Sequence, residues 1–175
     1  MGKTPRWETG KVTTYAPIVM VSLTISDLAV ALSPIAPDIP ATTQQIRHWT
    51  REGLLVPIQD LHSGPGVHRR YASDAVLEAA VLSVFANTGF PISGSQVLAE
   101  AMTQLRLEIA KRKVGKGRKK PHIIIMRTAL GQTAAAVLAE GEKFTGPRGF
   151  KVADAVMMID LDLDKLFAQV THERS

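Results

Sequence analysis

The chain has 175 residues, 45% hydrophobic and 21% charged, enough for one ordinary core or a core with a small addition. It has no cysteine, which excludes a disulfide framework, zinc–cysteine clusters and thiol redox chemistry. The net charge of +5 is uneven: residues 1–110 hold eight Lys and Arg against nine Asp and Glu, and residues 121–175 hold six against seven. Residues 111–120 alone carry seven basic side chains, so the bulk charge is no credential for nucleic-acid binding.

Residues 1–15 are polar and lack a period, and the flexible arm they begin is expected to run to residue 22. Ala16 to Leu32 is apolar and follows Lys3, Arg6 and Lys11, the outline of a signal-peptide core. Asp27 lies inside it, and no uncharged run reaches spanning length. A soluble, cytoplasmic chain is therefore expected.

Thr24 with Asp27 fits a capping box, and Ile25, Leu28, Ala29 and Leu32 form the apolar stripe of a first helix. Prolines at 34, 37 and 40 mark Ser33 to Pro40 as a stiff loop. Thr42 with Gln45 fits a second capping box, opening a helix to about Glu52 that Gly53 stops. Ile46 and Trp49 are spaced to face the core, while Arg47, Thr50 and Arg51 point elsewhere. Leu54-Leu55-Val56 reads as a short strand, and Arg69-Arg70-Tyr71 as its hairpin partner across a turn containing Gly64 and Gly66.

Ser73 is expected to cap a third helix with Val76, Leu77, Ala80, Val81, Val84 and Phe85 inward, ended by Gly89. Ser93 would start a fourth, with Val97, Leu98, Ala101, Met102, Leu105 and Ile109 on one face. That face is long enough either to close the core or to meet a partner chain. Past the basic run, His122 to Met126 and Ala155 to Leu161 read as buried strands, and Ala134 to Leu138 as a strand or short helix. Asp164 to Val170 reads as a terminal helix with Leu166, Phe167 and Val170 inward.

The boundaries are thus an arm (1–22), a helical domain with a hairpin (23–110), a basic linker (111–120) and a small α/β segment (121–175). The fold class is mainly α with a β-hairpin wing, a winged helix-turn-helix, plus a small C-terminal α/β appendage. About fifty residues is small for independent stability, so docking or dimerisation is expected of that appendage.

The most informative residues are Ile46-Arg47-His48-Trp49-Thr50-Arg51-Glu52-Gly53-Leu54-Leu55-Val56-Pro57 and His68-Arg69-Arg70-Tyr71-Ala72-Ser73-Asp74. Arg47 and Arg51 can contact guanine or phosphate bidentately, and Gln44 or Gln45 can read adenine. The two strings, with Leu23 to Ala29 before and Asn87 to Ser93 after, resemble the DNA-binding domain of the MerR family over about residues 23–105. The resemblance implies a second helix in the major groove and a wing on the backbone. It places Thr42, Thr43, Gln44 and Arg47 at the groove-facing start, with His48 and Arg51 further along and His68, Arg69 and Arg70 on the wing. Trp49 stands where the family commonly has tyrosine. The loop from Val30 to Pro40 is longer than the family's turn, and without cysteine the family's thiol-based metal sensing is excluded.

The basic run offers Lys111, Arg112, Lys113, Lys116, Arg118, Lys119 and Lys120 either as non-specific phosphate contacts or as a solvated linker. Asp160, Asp162 and Asp164 alternate, which would suit a magnesium ion on a strand face or a cap on the last helix. No catalytic base is evident and the histidines lack ligand spacing, so no enzyme activity, metal or cofactor is expected. The expectation is a MerR-like transcriptional regulator that binds double-stranded DNA as a homodimer, with RNA polymerase a candidate partner and no membrane association. The alternatives are a phage-type excisionase or packaging DNA-recognition subunit, and a protein-interaction module on the same scaffold.

Overall fold

In a computed structural model, the structure describes residues 22–58, 69–92, 94–146 and 150–171. The first helix, α1 (Ile25–Ala31), starts at the expected box: Thr24 Oγ1 accepts from Asp27 N at 3.2 Å, and Asp27 Oδ2 accepts from Thr24 N at 2.7 Å. The second, α2 (Ile39–Arg51), begins a turn earlier than Thr42 and Gln45 suggest. Asp38 is its N-cap, accepting from Ala41 N at 3.0 Å, and Pro40 lies in the first turn, where a missing N–H costs nothing. The proline-rich loop is correspondingly shorter, running from Leu32 to Asp38.

Behind α2, the expected strand at Leu54-Leu55-Val56 does not form. Gly53 turns the chain at φ +71°, and the amides of Leu54 and Leu55 both bond to the Trp49 carbonyl, at 2.9 and 3.2 Å. The apolar run thus plugs the helix end instead of extending, with Leu54 and Leu55 buried. Tyr71 pairs with Leu23 instead, through reciprocal amide–carbonyl bonds of 2.8 Å. One bond from Ile58 N to Arg70 O, 2.8 Å, closes the base of the wing. The expected wing tip, with Gly64, Gly66 and His68, and residues 1–21 of the expected N-terminal arm lie outside the described residues.

The third helix, α3 (Ala75–Asn87), follows Asp74, not Ser73, with no side-chain cap bond. It is buried on nearly every side, as a central helix must be when apolar residues surround it. The fourth, α4 (Gln96–Lys113), is capped by Ser95, whose Oγ accepts from Leu98 N at 3.2 Å; Ser93, the expected start, is outside the described residues. Leu98, Ala101, Met102, Leu105 and Ile109 on α4 are buried as expected.

Strands β1 (His122–Thr128), β2 (Thr133–Leu138) and β3 (Ala155–Asp162) form an antiparallel sheet in the order β2-β1-β3. Ile123 faces Val137 and Leu161 across the ladders, and Ile125 faces Ala135 and Ile159. Helix α5 (Leu163–Thr171) follows directly, with Leu166 and Val170 buried and Phe167 half-buried. Asp162 Oδ1 accepts from Lys165 N at 3.1 Å, so this carboxylate serves as the helix cap.

The sheet packs on α4 and α5 packs on α3. One continuous core joins Trp49, Tyr71 and Phe85 to Leu98, Met102 and Leu105, and through them to Ile123, Ile125 and Leu166. The long apolar face of α4 is therefore occupied within the chain, which decides between the two uses its length suggested.

Candidate nucleic-acid interface

Three pieces of backbone meet at the start of α1, the last turn of α2 and the segment at residues 69–71, and Tyr71 joins them. Its backbone pairs with Leu23, one residue before the α1 cap, and its hydroxyl lies 2.8 Å from Thr50 Oγ1 on α2. Both side chains are fully buried, and Thr50 Oγ1 also donates to the Ile46 carbonyl at 2.8 Å. Thr50, expected to point away from the core, is instead the polar end of this internal joint. Buried hydroxyls are retained where both ends of the bond are satisfied.

The joint opens a surface cleft of about 320 Å³ lined by Thr24, Ile25, Ser26, Thr43, Arg47 and Arg69. Two guanidinium groups thus line one concavity with three hydroxyls, and the guanidinium groups supply the donors that phosphate oxygens and base edges require. Arg47, Gln44 and Arg51 are exposed on α2, Thr43 and His48 are half-buried, and Arg70 is exposed beside half-buried Arg69. Thr42 must be withdrawn from the expected contacts: it is 2% exposed and its hydroxyl faces the Ala36 carbonyl at 3.4 Å. Thr43 Oγ1 donates back to the Ile39 carbonyl at 2.8 Å, which leaves its oxygen lone pairs toward the cleft as acceptors. Trp49 is 1% exposed and belongs to the core.

Thr24, Ile25 and Ser26 were not foreseen as cleft residues. Their only sequence signal was the capping box, which locates a helix start but not what lies across from it.

Behind the cleft, α4 fixes the bend after α2. Arg106 Nε donates to Glu78 Oε2 on α3 at 2.8 Å, and its Nη2 donates to the Leu54 carbonyl. Burial raises the Glu78 carboxyl above its ordinary value, and Arg106 partly offsets that. Glu52 Oε2 accepts from Gly94 N at 3.2 Å, tying the end of α2 to the approach to α4.

The basic run is largely paired. Arg112 bonds Asp164, Lys113 lies 2.6 Å from Asp74, Arg118 meets buried Glu108 at 3.3 Å and Glu142 at 3.7 Å, and Lys120 lies 2.7 Å from Glu140. Glu140 beside it raises the Lys120 ammonium above its usual value. Lys111, Lys116 and Lys119 are in none of these pairs and are exposed. The alternating aspartates are engaged separately: Asp160 with His122 Nδ1 at 2.9 Å, Asp162 as cap, Asp164 with Arg112. The Lys165 amide holds the Asp162 carboxyl below its usual range. Among the described residues, no cluster of three His, Asp or Glu is placed to hold a metal ion. No helix among them is long and apolar enough to cross a membrane.

Two helices joined by a short loop, with the second exposing arginines beside a wing base, define a helix-turn-helix domain of the DNA-binding class. Residues 24–102, a little under half of the chain, match the MerR HTH family of regulatory proteins, and over this span the chain is similar to that family. The match covers α1, α2, α3 and the first part of α4. No curated protein matches the chain.

Proposed function

We propose that this chain is a transcriptional regulator that binds duplex DNA sequence-specifically as a homodimer. In this reading Gln44, Arg47 and Arg51 of α2 enter the major groove, His48 supports them from the same helix, and Arg69 and Arg70 grip the adjacent backbone with His68. The observation that carries the reading is the cleft in which Arg47 and Arg69 converge with Thr43. Arg47 reads a base edge, and Arg69 fixes the register on phosphate. Lys111, Lys116 and Lys119 add sequence-independent affinity, while the four paired basic residues contribute less because acidic partners already face them. RNA polymerase is the further partner of such a regulator.

Fluorescence anisotropy with duplex fragments selected from genomic DNA, at two salt concentrations, tests this. Arg47→Ala with Arg69→Ala should weaken binding about 10- to 100-fold. Lys111→Ala, Lys116→Ala and Lys119→Ala together should lower the salt slope of the dimer by about 5, since two copies lose six phosphate contacts, without changing sequence preference. Absence of duplex binding, or affinity unchanged by the double arginine substitution, overturns the reading.

A further inference from the structure

We propose that the free edge of β3 is the surface through which two copies of this chain pair, strand against antiparallel strand about a two-fold axis at Ile159. This rests on the homodimer reading above and names its surface.

The two sheet edges differ. At β2, Gln104 of α4 accepts from the Val137 amide at 3.2 Å, so a helix side chain already takes an edge donor. At β3, no strand or bridge among the described residues pairs with the outer edge. An open edge presents a row of unpaired amides and carbonyls, which another strand can satisfy. The side chains on both faces of β3 are also incompletely covered. Met157, Ile159 and Leu161 pack on the core yet remain half-buried, and on the opposite face Val156 and Met158 are 69% and 61% exposed. The helix face that would otherwise offer a partner surface, on α4, is filled by the chain's own sheet.

The strand is self-complementary in one register. With the axis at Ile159, Ile159 faces its own copy, Met157 faces Leu161 and Met158 faces Asp160. The inner row of each copy then continues the other's apolar row, as an isologous contact requires. Neighbouring registers fit less well. Centring on Asp160 or Leu161 sets Asp160 against itself or against Asp162, and directly opposed like charges destabilise a ladder. Centring on Met157 or Met158 draws Val156 into the five paired residues, where the ladder with β1 shifts register. The bulge at Arg127/Thr128 falls at the start of β3, outside the five residues that pair.

The cysteine-free sequence allows a direct test on the full chain. Directly opposed Cα atoms lie about 5 Å apart, within disulfide reach, whereas copies of a residue one step from the axis lie about 8 Å apart. Ile159→Cys should therefore form a disulfide-linked dimer under mild oxidation roughly tenfold faster than Met158→Cys or Asp160→Cys. Light scattering of the unmodified chain should give twice the chain mass. A dimer that cross-links at 159 no faster than at 158 and 160 overturns the β3 surface while leaving the homodimer and DNA readings standing. A monomer overturns both the surface and the homodimer, and the anisotropy titration judges DNA binding separately.

Discussion

Arg106 holds two acceptors that would otherwise be stranded: the Glu78 carboxylate, whose side chain is 11% exposed, and the Leu54 carbonyl at the bend after α2. Because burial raises Glu78, folding favours its protonated form. Its contribution to stability is then full below the ordinary glutamate value and is lost as pH rises through the folded value. Arg106→Ala removes the cation that opposes that loss and should cost about 3 kcal/mol at pH 7. The cost should shrink near pH 4, where Glu78 is protonated, and adding Glu78→Gln should abolish the pH dependence. Urea denaturation of the three proteins at both pH values measures this; an equal loss at the two values would show that Arg106 acts through Leu54 alone.

The elements show which local signals can be read without the fold. The Thr24–Asp27 box was legible because both halves lie within four residues and nothing competes with them. The Thr42–Gln45 box had the same outline but lost to Asp38, since Pro40 can begin a helix that it could not continue. Asp38→Ala should therefore lower stability by about 1 kcal/mol, seen as a shift in denaturation midpoint. Leu54-Leu55-Val56 has the composition of a strand, but Gly53 redirects it and the Trp49 carbonyl takes its amides. The pairing of Tyr71 with Leu23, 48 positions apart, has no local signature at all. Of the candidate interface, the arginines stood out by their spacing on α2 and at positions 69 and 70, and the structure places Arg47 and Arg69 on one cleft. The cleft they share with Thr24 and Ser26 was not legible, because it depends on that distant pairing.

The molecule as a whole rests on α4, whose 18 residues carry the family-like helices on one side and the sheet on the other. The apolar core runs through it without a break, so the C-terminal segment is part of what keeps the helix-turn-helix half in shape. Removing residues 121–175 should expose apolar α4 surface and lower the melting temperature by more than about 10 °C, with the loss read by calorimetry. A truncated chain that melts at the original temperature would show that the helices stand alone.

The basic run ends on an unexpected constraint. Arg118 donates its backbone N–H to Glu108, which is 1% exposed, and this folds Gly117 down onto Arg112. A β-carbon at 117 would fall inside the contact distance of Arg112 Cγ, with Glu108 Oε1 at 3.0 Å and Arg112 Cα at 3.1 Å. A scan of every substitution across 111–120, scored by folding, should thus show tolerance running opposite to what the charges suggest. Lysines 111, 116 and 119 would accept most replacements, whereas the small uncharged residue at 117 would accept almost none. What is inherited in this stretch would then be the shape of a turn, and the positive charge would be free to drift around it.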